Sequence, residues 1–166
     1  MKFTFYLFIF SVSILFSCAT NSGVSDAFSK YSGEDGVTTV TVPGWAIKLA
    51  GRFAELDEEE RYFLQSIDKI KVLTIEDESL NSTVNFHDEF YNKINARNKL
   101  DMLVQVRDQG EDITILGKIN EEELTELIIL VSGEENTMVY LKGSINLDEL
   151  KQLIAKSDLN AGLLKI

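Results

Sequence analysis

The chain predicts an α+β domain in which an antiparallel or mixed sheet ends in a C-terminal strand meander and carries its helices mainly on one face. Three observations lead there. β-Branched runs at 37–42 and 70–75 favour strands. Apolar residues three or four positions apart around 45–53, 63–67 and 80–96 favour helices. From residue 100 to 141, short apolar runs alternate with clusters of Gly, Asp, Asn and Ser, as hairpins do. The resulting order, β-α-α-β-α-β-β-β-β-α, supplies too few crossovers for a parallel sheet with helices on both faces.

Residues 1–17 carry one positive charge at Lys2 and an uncharged apolar run from Phe3 to Phe16. That run is shorter than the 20 or so residues a membrane-spanning helix needs, and it fits a secretory leader. It closes on Leu15, Phe16, Ser17 and Cys18, which resemble a bacterial lipobox. The resemblance implies cleavage before Cys18 and fatty acyl chains on that residue, the only Cys in the chain. More than one acyl chain is needed for stable anchoring, which triacylation would provide. Residues 18–26 then read as a lipid-attached flexible tether, 27–157 as one domain and 158–166 as a short tail.

Within the domain, Ser32 to Gly36 is a turn-rich break and Val37 to Val42 a strand, stopped by Pro43 and Gly44. Trp45, Leu49 and Phe53 recur every four residues, so they are expected on the core side of a helix. Asp57 and Glu60 form a capping box for a second helix with Phe63, Leu64 and Ile67 inward. A strand from Ile70 to Ile75 precedes a helix from about Leu80 to Ala96, with Leu80, Val84, His87, Tyr91 and Ile94 on one stripe. Strands at 100–107 and 112–118 flank a turn at Asp108 to Glu111, and strands at 127–131 and 137–141 flank a turn at Ser132 to Asn136. Asn146 and Glu149 cap a last helix with Leu147, Leu150, Leu153 and Ile154. Residues 117–128 and 143–154 match at seven of twelve positions, which points to a helical turn over Glu121 to Leu127 by analogy with that last helix.

The balance of 16 basic and 27 acidic residues gives a net charge of −11 and argues against nucleic acid as a partner. Loss of 1–17 would make it −12, so an anionic leaflet would repel the domain as a whole. One Cys excludes an intramolecular disulfide, and one His excludes a multi-histidine metal centre within the chain. No cofactor motif is present: Gly33 to Gly36 precedes a strand and lacks phosphate-loop spacing. The acidic clusters at Asp57 to Glu60, Glu76 to Glu78, Glu121 to Glu123 and Glu134 to Glu135 read as helix caps and turns.

The lipobox, the segments Lys30 to Pro43 and Ile70 to Ile75, the meander, and the closing pattern from Gly143 to Leu150 together resemble domain-of-unknown-function family 4252, small bacterial envelope lipoproteins. The resemblance covers about residues 27–157. It implies location and fold and brings no functional residues with it. The periplasmic face of a Gram-negative outer membrane is the expected address. The expected role is a non-catalytic binding or scaffolding module, meeting another envelope protein or a small apolar ligand. The alternative is a small enzyme using His87 with a nearby carboxylate. A core histidine bonded to Tyr91 or a backbone carbonyl is the simpler reading, because acid–base catalysis needs a second positioned partner.

Overall fold

The computed structural model describes residues 23–150 and 152, apart from residue 109. The expected leader, Cys18, residues 19–22, Leu153, Ile154 and the tail lie outside the described residues. Helix α1 (Gly23–Tyr31) is followed by β1 (Val37–Pro43), α2 (Gly44–Phe53), α3 (Glu58–Ser66) and β2 (Ile67–Ile75). Next come α4 (Glu78–Asn81), α5 (Phe86–Asn98), β3 (Asp101–Asp108), β4 (Glu111–Asn120), β5 (Glu123–Ser132) and β6 (Asn136–Asn146). Residues 147–150 are again helical. The six strands form one sheet in the order β1-β2-β6-β5-β4-β3, and every neighbouring pair is antiparallel. The α+β class and the C-terminal meander hold, and the sheet is antiparallel rather than mixed.

Alternation along the strands divides the sheet into two faces. Leu73, Ile75, Leu116, Ile128, Leu130 and Met138 point to one face and pack with α1 and α5 through Val24, Phe28, Phe86, Phe90 and Ile94. Fully burying a side chain such as Phe90 is worth about 1.5–3 kcal/mol, so this cluster dominates the stability. Val42, Ile70, Leu127 and Leu141 have the opposite parity and pack on the other face with Ile47, Phe63, Leu64 and Leu150. The α2–α3 pair therefore lies across the sheet from α1 and α5. Helices reach both faces without a parallel crossover, because α2 and α3 bridge two antiparallel neighbours, β1 and β2.

Three local expectations change. Residues 23–26 belong to α1 rather than to the tether, and Gly23 and Val24 are buried. The single helix expected over 80–96 breaks into α4 and α5, because side chains compete for the backbone there. Asn136 is fully buried; its Nδ2 donates to Asn81 O at 3.1 Å and Val84 O at 2.9 Å, and its Oδ1 accepts from Phe86 N at 3.2 Å. Asn85 caps α5 by accepting from Asp88 N at 3.0 Å. Third, Glu121 to Leu127 form no helical turn. Asn120 pairs with Glu123, so β4 and β5 join through a two-residue turn in which Glu121 takes φ +57°. The expected capping box is present: Asp57 Oδ1 accepts from Glu60 N at 2.9 Å and Glu60 Oε2 accepts from Asp57 N at 3.1 Å.

Two glycines fix the start of β2. A Cβ on Gly44 would stand 2.7 Å from Ile67 O, and one on Gly143 would stand 2.3 Å from Ser66 O. Gly143→Ala must push backbone against backbone and is expected to cost about 2–3 kcal/mol in urea denaturation. A change below 0.5 kcal/mol, on the order of an ordinary surface substitution, would show that the contact is not tight.

α1 and α5 are also joined by Glu89, which accepts from Tyr31 Oη at 2.6 Å and pairs with Lys30. Burial raises the Glu89 pKa, but the hydrogen bonds from Lys30 and Tyr31 outweigh it, and the net direction is down from 4.5. A carboxylate with a lowered folded pKa stabilises the fold above its unfolded value, and this contribution disappears as pH falls through the folded value. Glu89→Gln is therefore expected to cost about 1 kcal/mol at neutral pH and nothing in strong acid, read from urea midpoints across pH.

Candidate functional site

His87 lies at the start of α5, is 7% exposed and points into the sheet. Its Nδ1 is 2.6 Å from Thr114 Oγ1 on β4, and its ring stacks on Tyr91 with centroids 5.1 Å apart. The backbone N–H of His87 donates to Ser132 Oγ at 3.1 Å. Asp88 is exposed, as adjacent positions on a helix diverge. Asp112 is reached only through Thr114, whose hydroxyl donates to Asp112 Oδ1 at 3.5 Å, and Asp112 already pairs with Arg107 at 2.9 Å. A polar cavity of about 400 Å³ opens nearby among Asn85, Asp88, Arg107, Asp108, Gly110, Glu111 and Asp112, and His87 does not line it. The arrangement is that of a core histidine with Thr114, rather than Tyr91 or a carbonyl, as its hydrogen-bond partner. Among the described residues no three His, Cys, Asp or Glu side chains are grouped to hold a metal ion.

Trp45, Leu49 and Phe53 depart most from expectation. They are 71%, 45% and 83% exposed, so their stripe faces outward rather than into the core. The buried line of α2 is Gly44, Ile47 and Gly51, spaced three and four apart. Gly44 lies against the carbonyls of Ile67 and Asp68, and a Cβ on Gly51 would meet Leu64 Cδ1 at 3.3 Å. A helix that seats itself through glycines approaches its support closely and turns its large side chains away. The readable signal was this pair of glycines seven apart with Ile47 between them.

Between α2 and α3, Lys48, Gly51, Arg52, Arg61, Leu64 and Gln65 line a cavity of about 350 Å³, and among the described residues no acidic side chain lies in its wall. Arg61 donates to Leu56 O at 3.5 Å. Among the described residues none of these three cations is in an ion pair. Tyr62, beside Arg61, is 64% exposed. Composition concealed this site, since a net charge of −11 does not reveal where the cations gather.

A second surface is the part of the sheet that α2 and α3 leave uncovered. Val40, Val72, Val139, Ile129, Ile115 and Val104 follow one another across all six strands and point to the same face. Val40, Val104 and Val106 are 47%, 44% and 49% exposed, and the central members are half-buried. Thr38, Thr74 and Thr137, one cross-strand row in which Thr74 and Thr137 are hydrogen-bonded at 3.2 Å, interrupt an otherwise mainly aliphatic surface. Among the described residues no helix is long and apolar enough to cross a membrane.

A family profile described as "Domain of unknown function (DUF4252)" matches residues 31–153, from the last residue of α1 through the whole sheet. The chain belongs to the DUF4252 family. No curated protein and no solved structure matches it. The matched segment of this DUF4252 chain includes both surfaces and His87. His87→Phe would leave the Thr114 hydroxyl without its close partner in a buried site, at a cost of about 1–3 kcal/mol. The expected result is a lower urea midpoint; an unchanged midpoint would mean that the His87–Thr114 bond contributes no stability.

Proposed function

We propose that this DUF4252 chain is a non-catalytic binding module of the bacterial envelope. In this reading acyl chains on Cys18 hold it at the periplasmic face of the outer membrane, and its open sheet face meets another envelope protein. The observation that carries the binding role is the aliphatic row from Val40 to Val104, left uncovered across the sheet. Contiguous exposed apolar surface of this kind marks interaction sites in soluble domains. A protein partner suits it better than a small apolar ligand, because an open sheet has no walls to enclose one. The tight packing of His87 against Thr114 and Tyr91 favours binding over acid–base chemistry. Attachment rests on the sequence around Cys18.

A photoreactive residue placed at Val40 or Val104 in intact cells is expected to crosslink to one envelope protein. The same residue at exposed Ser29, on α1, is expected not to. Val106→Lys should abolish the product while far-ultraviolet circular dichroism stays unchanged. Equal labelling from both surfaces, or none from Val40 and Val104, would count against the binding face. Cys18→Ala should move the protein from the membrane to the soluble fraction, and an unmodified Cys18 in intact-mass spectra would remove the anchor.

A further inference from the structure

We propose that α2 and α3 form a lipid-contacting element: Trp45, Leu49 and Phe53 enter the surface of an anionic phospholipid bilayer, and Lys48, Arg52 and Arg61 receive a headgroup phosphate. This contact is additional to any acyl chain and distinct from the open sheet face.

The stripe itself is the first argument. Trp45, Leu49 and Phe53 lie four apart on α2 and are all substantially exposed, two of them more than 70%. A large aromatic residue held in water by a helix seated on glycine is not a packing residue. Trp in particular favours the boundary between headgroups and acyl chains, where its ring is in an apolar layer and its N–H stays wet. An interfacial helix combines such a stripe with flanking Lys or Arg, and Lys48 and Arg52 lie one turn apart beside this one.

Charge is the second argument. The chain has 27 acidic residues, yet α2 contains none. Two of its cations join Arg61 around one cavity of about 350 Å³, whose wall is otherwise Gly51, Leu64 and Gln65. Three cations that form no ion pair among the described residues converge in a strongly anionic domain and complement a phosphate, and Arg offers the forked donors that phosphate oxygens accept. The acids closest in sequence to these cations are on the linker and the first turn of α3. Glu55 stands outside the cavity wall, and Asp57 to Glu60 serve the cap and dipole of α3. The cavity wall is thus cationic even though the domain as a whole, and the first turn of α3 beside it, is acidic.

Position is the third argument. Gly23, the described residue nearest Cys18, packs against Lys93 and Ile94 in the second half of α5, which leads to Asp101. Asp101, Gly117, Leu127, Leu141, Ile70 and Val42 form one row across the sheet, and α2 starts two residues beyond Val42. The chain arriving from Cys18 and the aromatic stripe are therefore at the same end of the sheet. A membrane holding that end would lie beside α2, and only four residues lie between Cys18 and Gly23 in sequence, a reach of about 18 Å at most.

Trp45 is the only Trp in the chain, so its fluorescence reports this contact without a label. The membrane-attached protein would be reconstituted in vesicles of phosphatidylethanolamine and phosphatidylglycerol carrying brominated acyl chains. The expected result is a blue-shifted Trp45 emission quenched by the bromines, with neither effect in phosphatidylcholine vesicles. Replacing Lys48, Arg52 and Arg61 with Gln should lower the ratio of docked to undocked protein on the order of 100-fold, from about one kcal/mol per cation. Phe53→Ser should also reduce quenching, and circular dichroism of both variants should match the parent because these side chains are exposed. Flotation with the vesicles reads the anchor separately, so a parent protein that floats with anionic vesicles yet shows no quenching would overturn this contact and leave the tethered-module reading standing. Emission that stays water-like in anionic bilayers would overturn it too. So would displacement from the bilayer by millimolar inorganic phosphate, which would identify the cavity as a free-anion site.

Discussion

The backbone at Ser66, Ile67 and Asp68 is held from two sides by residues without side chains. Gly44 presses on the carbonyls of Ile67 and Asp68 from the start of α2, and Gly143 presses on Ser66 from β6. This is where β2 begins with a register shift and where Ile67, 1% exposed, anchors the smaller core cluster. The close approach sets three things together: the height of α2 above the sheet, the entry of β2 beside β6, and the direction of everything on the far side of α2. Had α2 stood off on larger residues, its aromatic stripe could have turned inward. Seated on glycine, it cannot.

The two faces of the sheet follow different rules. One is closed by α1 and α5 and carries the main cluster, from Val24 to Met138. Its buried polar groups are satisfied internally: Asn136 by Asn81 and Val84, His87 by Thr114. Such satisfaction is what buried polar groups in stable interiors require. The other face is covered at one end by α2 and α3 and, apart from the row Thr38, Thr74 and Thr137, is aliphatic beyond them. A solvated antiparallel sheet usually alternates apolar with polar residues along each strand. The Val and Ile residues of β2, β4, β5 and β6 break that alternation on both sides, which is the physical case for a partner. The exposed edge strand β3, with Leu103, Val104 and Val106 all at least 40% exposed, continues the same surface to the sheet border.

Two proposed surfaces on one small domain give it an orientation. In the proposed arrangement the end bearing α2, α3 and the start of α1 would face a membrane, and the aliphatic sheet would extend away from it. A module built in this way would present its binding face at a fixed angle to the lipid rather than on a freely turning tether. The short distance from Cys18 to Gly23 serves the same end, since α1 takes up four residues that composition alone assigns to the tether.

Sequence alone determined the elements whose signals are local. The β-branched runs gave β1 and β2, Asp57 and Glu60 gave the cap of α3, and Gly110 and Gly133, both at positive φ, gave two of the three meander turns. These depend on a few neighbouring residues and their φ, ψ preferences. Tertiary structure decided what depends on distant partners. Asn136 reached back more than fifty residues to split α4 from α5. Thr114 became the partner of His87, and two glycines reversed the phase of α2. A four-residue apolar period shows that side chains share a stripe, but not whether that stripe meets a core or water. Only the packing of Gly44 and Gly51 against β2 and α3 settles that, because contact distance is a property of two surfaces and not of one segment.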